Sequence, residues 1–419
     1  MLSEKSAGTI RATLPAVGGA IGEITINFYD RLFAAHPALP RDLFNRGNQA
    51  SGEQQRALAG SVAAFATALL DHPGVRPDAL LSRIAHKHAS LGVTRDQYRV
   101  VHTHLFAAIA EVLGDAVTDE VAAAWDEVYW LMANALIAIE ARLYAEAGAE
   151  PGSTLRDHRV VGRRAETDEV TTFLVRPADG SAPPPFRPGQ YVSVQVELAD
   201  GAHQIRQYSI SGASADALRF SVKRIAGADT PDGEVSGHLH DRVHPGDLLK
   251  VGAPFGDVVL DDGDGPLLLV SAGIGCTPMI GMLSRLAADR SPRRITVVHA
   301  DRDRSRHAFR ADLDRYVAEL PDAEAYVWYE TTEPGRPAEP AAGRADADAA
   351  GRTGAVRTAV VRTGRADLAA VPAPPGVTAL LCGPLPFLRA ARAQLLARGV
   401  PAADIHYEVF GPDLWLGQE

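Results

Sequence analysis

Cysteine is nearly missing from this chain: Cys276 and Cys382 are the only two in 419 residues, and both fall late. A disulfide framework and a thiolate zinc cage are thereby excluded. No apolar run reaches the length of a membrane span, and Met1-Leu2-Ser3-Glu4-Lys5 opens no signal peptide. An excess of positive charge is lacking too. Lys and Arg number 42 against 52 Asp and Glu, a net charge of −10, which speaks against a nucleic-acid-coating role. Internal repeats are absent. What is present suffices for folded domains: 46% hydrophobic and 22% charged residues support real cores, and the length predicts two or three of them. The expectation is a soluble, cytoplasmic monomer with neither nucleic acid nor membrane as partner.

The periodicity changes twice along the chain. Over residues 1–150 it is helical: Val17, Ile21, Ile24 and Phe28 are spaced 4-3-4, as are Leu58, Val62, Phe65 and Leu69. Val121, Trp125, Val128, Met132 and Ile139 continue the pattern. Thr94-Arg95-Asp96-Gln97 has the form of a capping box, so a helix should start there and run toward Val112. Pro151-Gly152-Ser153 suits a hinge. Residues 151–262 turn to short strands at 171–175, 191–196, 207–210, 218–223 and 248–251, the pattern of a small antiparallel barrel. Residues 263–419 alternate apolar strands (267–270, 295–299, 326–329, 379–381) with helical stretches, which predicts a parallel, doubly wound sheet. Residues 333–358, rich in Ala, Gly, Pro, Arg and Asp without period, read as a mobile surface insertion.

Chemistry concentrates in the last two segments. Arg206-Gln207-Tyr208-Ser209 follows Arg187-Pro188-Gly189-Gln190-Tyr191 by 15 residues. A guanidinium, a ring and a hydroxyl on alternating strand positions suit a flavin with its pyrophosphate. The Gly233-Glu234-Val235-Ser236 turn offers backbone N–H groups to the same pyrophosphate, or is plain loop. After the strand at 267–270 comes Gly273-Ile274-Gly275-Cys276-Thr277-Pro278. Its glycines permit close approach to a phosphate, and Pro278 fits a first helical turn. Cys382-Gly383-Pro384 ends another strand where open α/β sheets bind ligands, and Tyr407-Glu408-Val409-Phe410-Gly411-Pro412 brings an aromatic residue able to shield a flavin face. Arg302, Arg304 and Arg306 suit either a 2′-phosphate or a solvated cluster. In the helical segment His88 lies on a face with Leu81 and Ile84, where an imidazole can bind iron. Spacing alone does not choose it over His86, His102 or His104.

With these motifs in this order, residues 154–419 resemble the ferredoxin–NADP reductase superfamily, an FAD barrel followed by a nicotinamide-nucleotide domain. The full chain resembles the flavohaemoglobins, in which a globin precedes that reductase. The likeness is carried by Phe28-Tyr29-Asp30-Arg31, Leu43-Phe44-Asn45, Asn48-Gln49 with Gln54, residues 84–88, Tyr98, and residues 134–140. It implies an all-α globin fold, an antiparallel barrel and an α/β nucleotide domain. Haem b, FAD and NAD(P)H are the implied cofactors, and oxygen and nitric oxide the small-molecule partners. By the same resemblance His88 is the iron ligand, backed by a relay of Tyr98 and Glu140. Tyr29 is a distal donor to haem-bound oxygen supported by Gln54, Leu58 closes the pocket, and Phe44 wedges the porphyrin. Lys87 and Glu408 tune the region between haem and flavin, or are solvated charges. The implied activity is nitric oxide dioxygenation. The alternatives are a flavohaemoglobin with another donor or a peroxide-reducing role, and an oxygen or nitric oxide sensor.

Overall fold

The computed structural model describes residues 1–227, 232–331 and 359–412; the insertion expected at 333–358 lies outside them. Seven helices come first: α1 (Glu4–Ala35), α2 (Ala38–Asp42), α3 (Arg46–Ala50), α4 (Glu53–Asp71), α5 (Asp78–Leu91), α6 (Arg95–Leu113) and α7 (Asp119–Ala147). Thr94 and Gln97 form the expected capping box, and Asn45 and Thr118 cap α3 and α7 through their side chains. The apolar stripes meet in one core: Val17, Ile24 and Phe28 of α1, Phe65 of α4, Leu81 and Ala85 of α5, and Trp125 and Val128 of α7 are buried together.

The expected hinge at 151–153 is fastened. The Gly152 N–H donates to Gly92 O (3.0 Å), just past the end of α5, and Glu150 bridges to Ser153. Beyond it, β1 (Leu155–Ala165), β2 (Val170–Pro177), β3 (Tyr191–Glu197), β4 (His203–Ala213), β5 (Leu218–Lys223) and β6 (Leu248–Gly252) close an antiparallel barrel in the order β1-β2-β5-β4-β3-β6. Val160, Phe173, Val192, Val194, Phe220 and Val251 fill it. Gly189 at φ 108° turns the chain into β3, with the Gln190 N–H closing on Arg187 O (3.0 Å). The sequence 233–236, expected as a turn, is instead the start of helix α8 (Glu234–Arg242), with Gly233 as its N-cap. Gly237 and the polar composition hide that helix from a propensity reading.

The third unit is a wholly parallel sheet of β7 (Leu267–Ala272), β8 (Ile295–Asp301), β9 (Ala323–Tyr329), β10 (Val360–Thr363), β11 (Thr378–Cys382) and β12 (Ile405–Glu408), in the order β10-β9-β8-β7-β11-β12. Side-chain alternation along β7 serves two layers. Leu267 and Leu269 pack with α9 (Cys276–Ala288) and α10 (Arg310–Glu319), whereas Leu268 and Val270 pack with α11 (Leu385–Ala397). Among the described residues no helix is long and apolar enough to cross a membrane.

Candidate functional site

Helix α5 carries two functional faces. On one, His88 Nδ1 lies 2.9 Å from Glu140 Oε1 of α7 and 2.9 Å from the Tyr98 hydroxyl of α6, and Tyr98 also donates to Glu140 (2.5 Å). Glu140 is only 3% exposed. Its carboxyl oxygen as acceptor assigns the proton to Nδ1, which leaves the Nε2 lone pair for a metal. Burial and the neighbouring Glu140 raise the Tyr98 pKa well above the ordinary phenol value, so its O–H persists. The other candidate histidines are spent elsewhere. His86 Nδ1 accepts from the Gly256 N–H (2.9 Å), His102 Nε2 pairs with Asp126 (2.7 Å), and His104 packs edge-on against His36. Only His88 has the acid–phenol relay.

Tyr29 reaches the same core from α1. Its ring meets Phe28, Phe33 and Phe44 at centroid distances of 4.8, 5.5 and 5.9 Å. Burial pushes its pKa well up, opposed by a hydrogen bond with Gln54, so the hydroxyl stays a neutral donor. Phe44, Leu58 and Ile84 are only partly buried although they belong to this core. An imidazole with one nitrogen fixed, a protonated phenol and partly uncovered apolar side chains fit a porphyrin iron.

The second face of α5 meets the reductase units at positions 83, 86, 87 and 90, a helical stripe. Arg83 donates to Tyr407 O (2.8 Å) and stacks on the Tyr407 ring (4.2 Å). Lys87 contacts Gln207, and the Ser193 hydroxyl donates to Ser90 O (2.6 Å). Burial, reinforced by Arg206 and opposed by Glu408, brings Lys87 down to about 8. Tyr191, expected at the flavin, packs with Phe255 in the helical core and is hydrogen-bonded to Ser90. The sequence motifs do not single out Arg83 or Ser90, and they offer His86 only as a rival iron ligand; the signal for this contact is a polar stripe one step around the helix from His88.

On β4 the register gives Val192 opposite Tyr208 and Val194 opposite Arg206, so Arg206 and Tyr208 share a face. Ser209 does not alternate with them. It directly follows Tyr208 and pairs with Tyr191, on the face that bears Gln207 and Ser193. Tyr208 stacks on Phe220 at 5.6 Å. Among the described residues Arg206 hydrogen-bonds the neutral Ile205 O (2.8 Å) and Gln204 Oε1 (3.2 Å), and burial lowers its pKa. A half-buried guanidinium so placed suits a phosphate. Gln204, also missed from sequence, donates to Arg41 O (2.9 Å) and Phe44 O (3.2 Å), tying the Phe44 loop to the Arg206 strand. Gly233, buried Val235 and Ser236 open α8 nearby in the barrel; Ser236 Oγ accepts from the Ile225 N–H (3.1 Å).

In the parallel sheet, Gly273, Ile274 and Gly275 form one 3₁₀ turn between β7 and α9, with Pro278 in the first helical turn. A Cβ on Gly275 would fall 2.3 Å from Cys382 O, so glycine is what allows this loop to touch the 382–384 turn. Gly273 is open on its Cβ side, the approach a phosphate needs. Cys276 and Cys382 are buried, and burial raises both thiols. The Thr277 hydroxyl turns back to Ile274 O (3.0 Å). Glu408 lies in register with Cys382 on β12 beside β11, and Phe410 beyond it is 48% exposed, followed by Gly411 and Pro412.

Comparison with known proteins agrees with this layout. A globin family model matches residues 26–136, and an oxidoreductase NAD-binding domain model matches residues 269–393. A flavohemoprotein from Bordetella parapertussis is 42% identical over 98% of this chain and 99% of its own length. The chain belongs to the flavohaemoproteins. Another such relative, from Rhizobium meliloti, is 39% identical over 99% of this chain and all of its own. The flavohemoglobin of Malassezia yamatoensis, solved with bound FAD and heme, superposes with a TM-score of 0.85 at 34% identity, covering 98% of this chain and 100% of that one. The FAD/NAD-binding domain of a Vibrio cholerae nitric oxide dioxygenase matches 62% of this chain and 100% of its own at 34% identity, with a TM-score of 0.53. As a flavohaemoprotein, the chain joins a haem globin to a flavin- and NAD-binding oxidoreductase.

Proposed function

We propose that this flavohaemoprotein is an NAD(P)H-dependent nitric oxide dioxygenase, holding haem b and FAD and converting nitric oxide and oxygen to nitrate. When bound, the flavin splits a hydride donor's two electrons into single ones, and the haem supplies an iron that binds oxygen. The chain does the rest. His88 would hold the iron through Nε2, and Glu140 with Tyr98 would keep the imidazole oriented and electron-rich. Tyr29, protonated and steadied by Gln54, would present an O–H to developing negative charge in the pocket. Phe44 and Leu58 would keep that pocket dry.

Arg206 and the first turn of α8 at 233–236 would take the flavin pyrophosphate, and Tyr208 with Ser209 would hold the ring. The loop 273–278 and the turn 382–384 would position the nucleotide, with residues 408–412 covering the flavin. Lys87 and Glu408 would set the electrostatics between the two redox groups.

The observation that carries this reading is the His88–Glu140–Tyr98 relay standing on the same helix as the contacts to the flavin strand. The test is rapid mixing of oxygenated, cofactor-replete protein with nitric oxide under excess NADH. Nitrate formed over many turnovers per haem supports dioxygenase action. A single stoichiometric burst would instead identify a sensor.

A further inference from the structure

Glu169, in the turn between β1 and β2, gathers cations from two domains. Its Oε2 lies 3.2 Å from Arg302 Nη2 and 3.6 Å from Lys223 Nζ, and its Oε1 meets Arg306 Nη1. The loop after β8 is shaped for this. The Asp303 carboxylate accepts from the Ser305 N–H (2.8 Å) and the Arg306 N–H (3.2 Å), turning Arg302 and Arg306 toward one carboxylate. Arg304 departs from the pair and lines a separate recess of about 330 Å³ with Arg164, Arg310 and Asp312. Arg302 and Arg306 thus share one carboxylate that Arg304 does not reach.

Their place in the fold gives the pairing its meaning. β8 neighbours the strand that leads into the 273–275 loop, and Arg302 follows its carboxyl end. In doubly wound nucleotide domains that is where the adenosine ribose is read, by an acid on a 2′-hydroxyl or an arginine on a 2′-phosphate. Asp301 and Glu330 meet at the same edge, joined by the Glu330 N–H donating to Asp301 O (3.0 Å). A 2′-phosphate arriving here would compete with Glu169 for the same guanidinium groups and be repelled by it. A ribose hydroxyl carries no charge and meets neither cost.

We propose that Glu169 is a specificity-determining residue: by occupying Arg302 and Arg306 it disfavours the 2′-phosphorylated dinucleotide, so that the chain uses NADH over NADPH. This rests on the reading of residues 273–278 as the nicotinamide-nucleotide site. The test uses full-length, flavin-loaded protein, with ferricyanide as acceptor and NADH or NADPH as donor, and compares inhibition by 2′,5′-ADP and 5′-AMP. Wild type should favour NADH. Glu169→Gln should raise the NADPH-to-NADH ratio of kcat/KM roughly tenfold, the scale of one partly screened like-charge contact. The gain should lie in the KM for NADPH, with 2′,5′-ADP inhibiting more strongly and 5′-AMP unchanged. Arg302→Ala in the Glu169→Gln background should reverse it, which a merely structural Glu169 would not produce. A ratio shifted by less than about twofold in fully flavinated Glu169→Gln, or a wild type that prefers NADPH, overturns the proposal. Failure of wild type to oxidise either nucleotide would remove the underlying site reading instead, and the proposal with it.

Discussion

His88→Ala should purify without the haem absorption band while the flavin spectrum and NADH–ferricyanide activity remain. His88 is the one candidate whose ring is held by a buried carboxyl group and a phenol together; His102 pairs with the half-exposed Asp126, and His86 and His104 have other neighbours. A truncated ligand leaves iron without its protein bond, and the remaining apolar contacts hold porphyrin far less firmly. Haem content should fall by at least about tenfold, the scale on which even outer-sphere partners of a metal ligand act. Added imidazole should restore part of the spectrum by filling the vacated space. Alanine at His86, His102 or His104 should leave haem content near wild type. Full haem loading of His88→Ala would contradict the assignment.

Tyr29→Phe should release oxygen from the reduced protein faster and slow nitric oxide consumption, with flavin reduction by NADH unaffected. The substitution keeps the ring among Phe28, Phe33 and Phe44 and deletes only the hydroxyl, so packing changes little. A hydrogen bond to a charged group contributes about 1.5–3 kcal/mol, and at 1.4 kcal/mol per decade oxygen release should quicken roughly 10- to 150-fold. Stopped-flow displacement of oxygen by carbon monoxide measures it. An unchanged release rate would remove Tyr29 from the distal role and leave Gln54 without a purpose there.

How far the sequence disclosed all this follows from the physics of each signal. Helices were legible wherever one face is buried, as with Val17, Ile24 and Phe28, and where a cap is local, as at Thr94. Strand β1 was not. Arg156, Asp157, Arg159, Arg163 and Arg164 face solvent, only His158 and Val160 turn inward, and the irregular register between Val160 and Gly162 breaks the alternation. The short strands β10 and β12 offer four residues each, too few for a period. Motifs point to the proposed flavin and nucleotide loops because glycine and arginine chemistry is local. Contacts across domains left no such trace: Ser90 with Ser193, Arg83 with Tyr407 and Glu169 with Arg302 join positions more than a hundred residues apart.

The double use of α5 gives the fold its functional sense. One face fixes the proposed iron ligand, and the next, at Lys87 and Ser90, touches the two barrel strands that bear Gln207 and Ser193. Arg206 and Tyr208 flank Gln207 on one of those strands, so the two proposed redox sites meet at one junction between α5 and the barrel.

That junction is tested most directly by anaerobic stopped-flow mixing of the oxidised, fully loaded protein with NADH, following flavin and haem bands together. Flavin bleaching followed by conversion of the haem to its ferrous spectrum, within a single enclosed reaction and without added mediator, is the predicted result. Flavin that bleaches while the haem stays ferric would contradict electron passage from the reductase units to the globin.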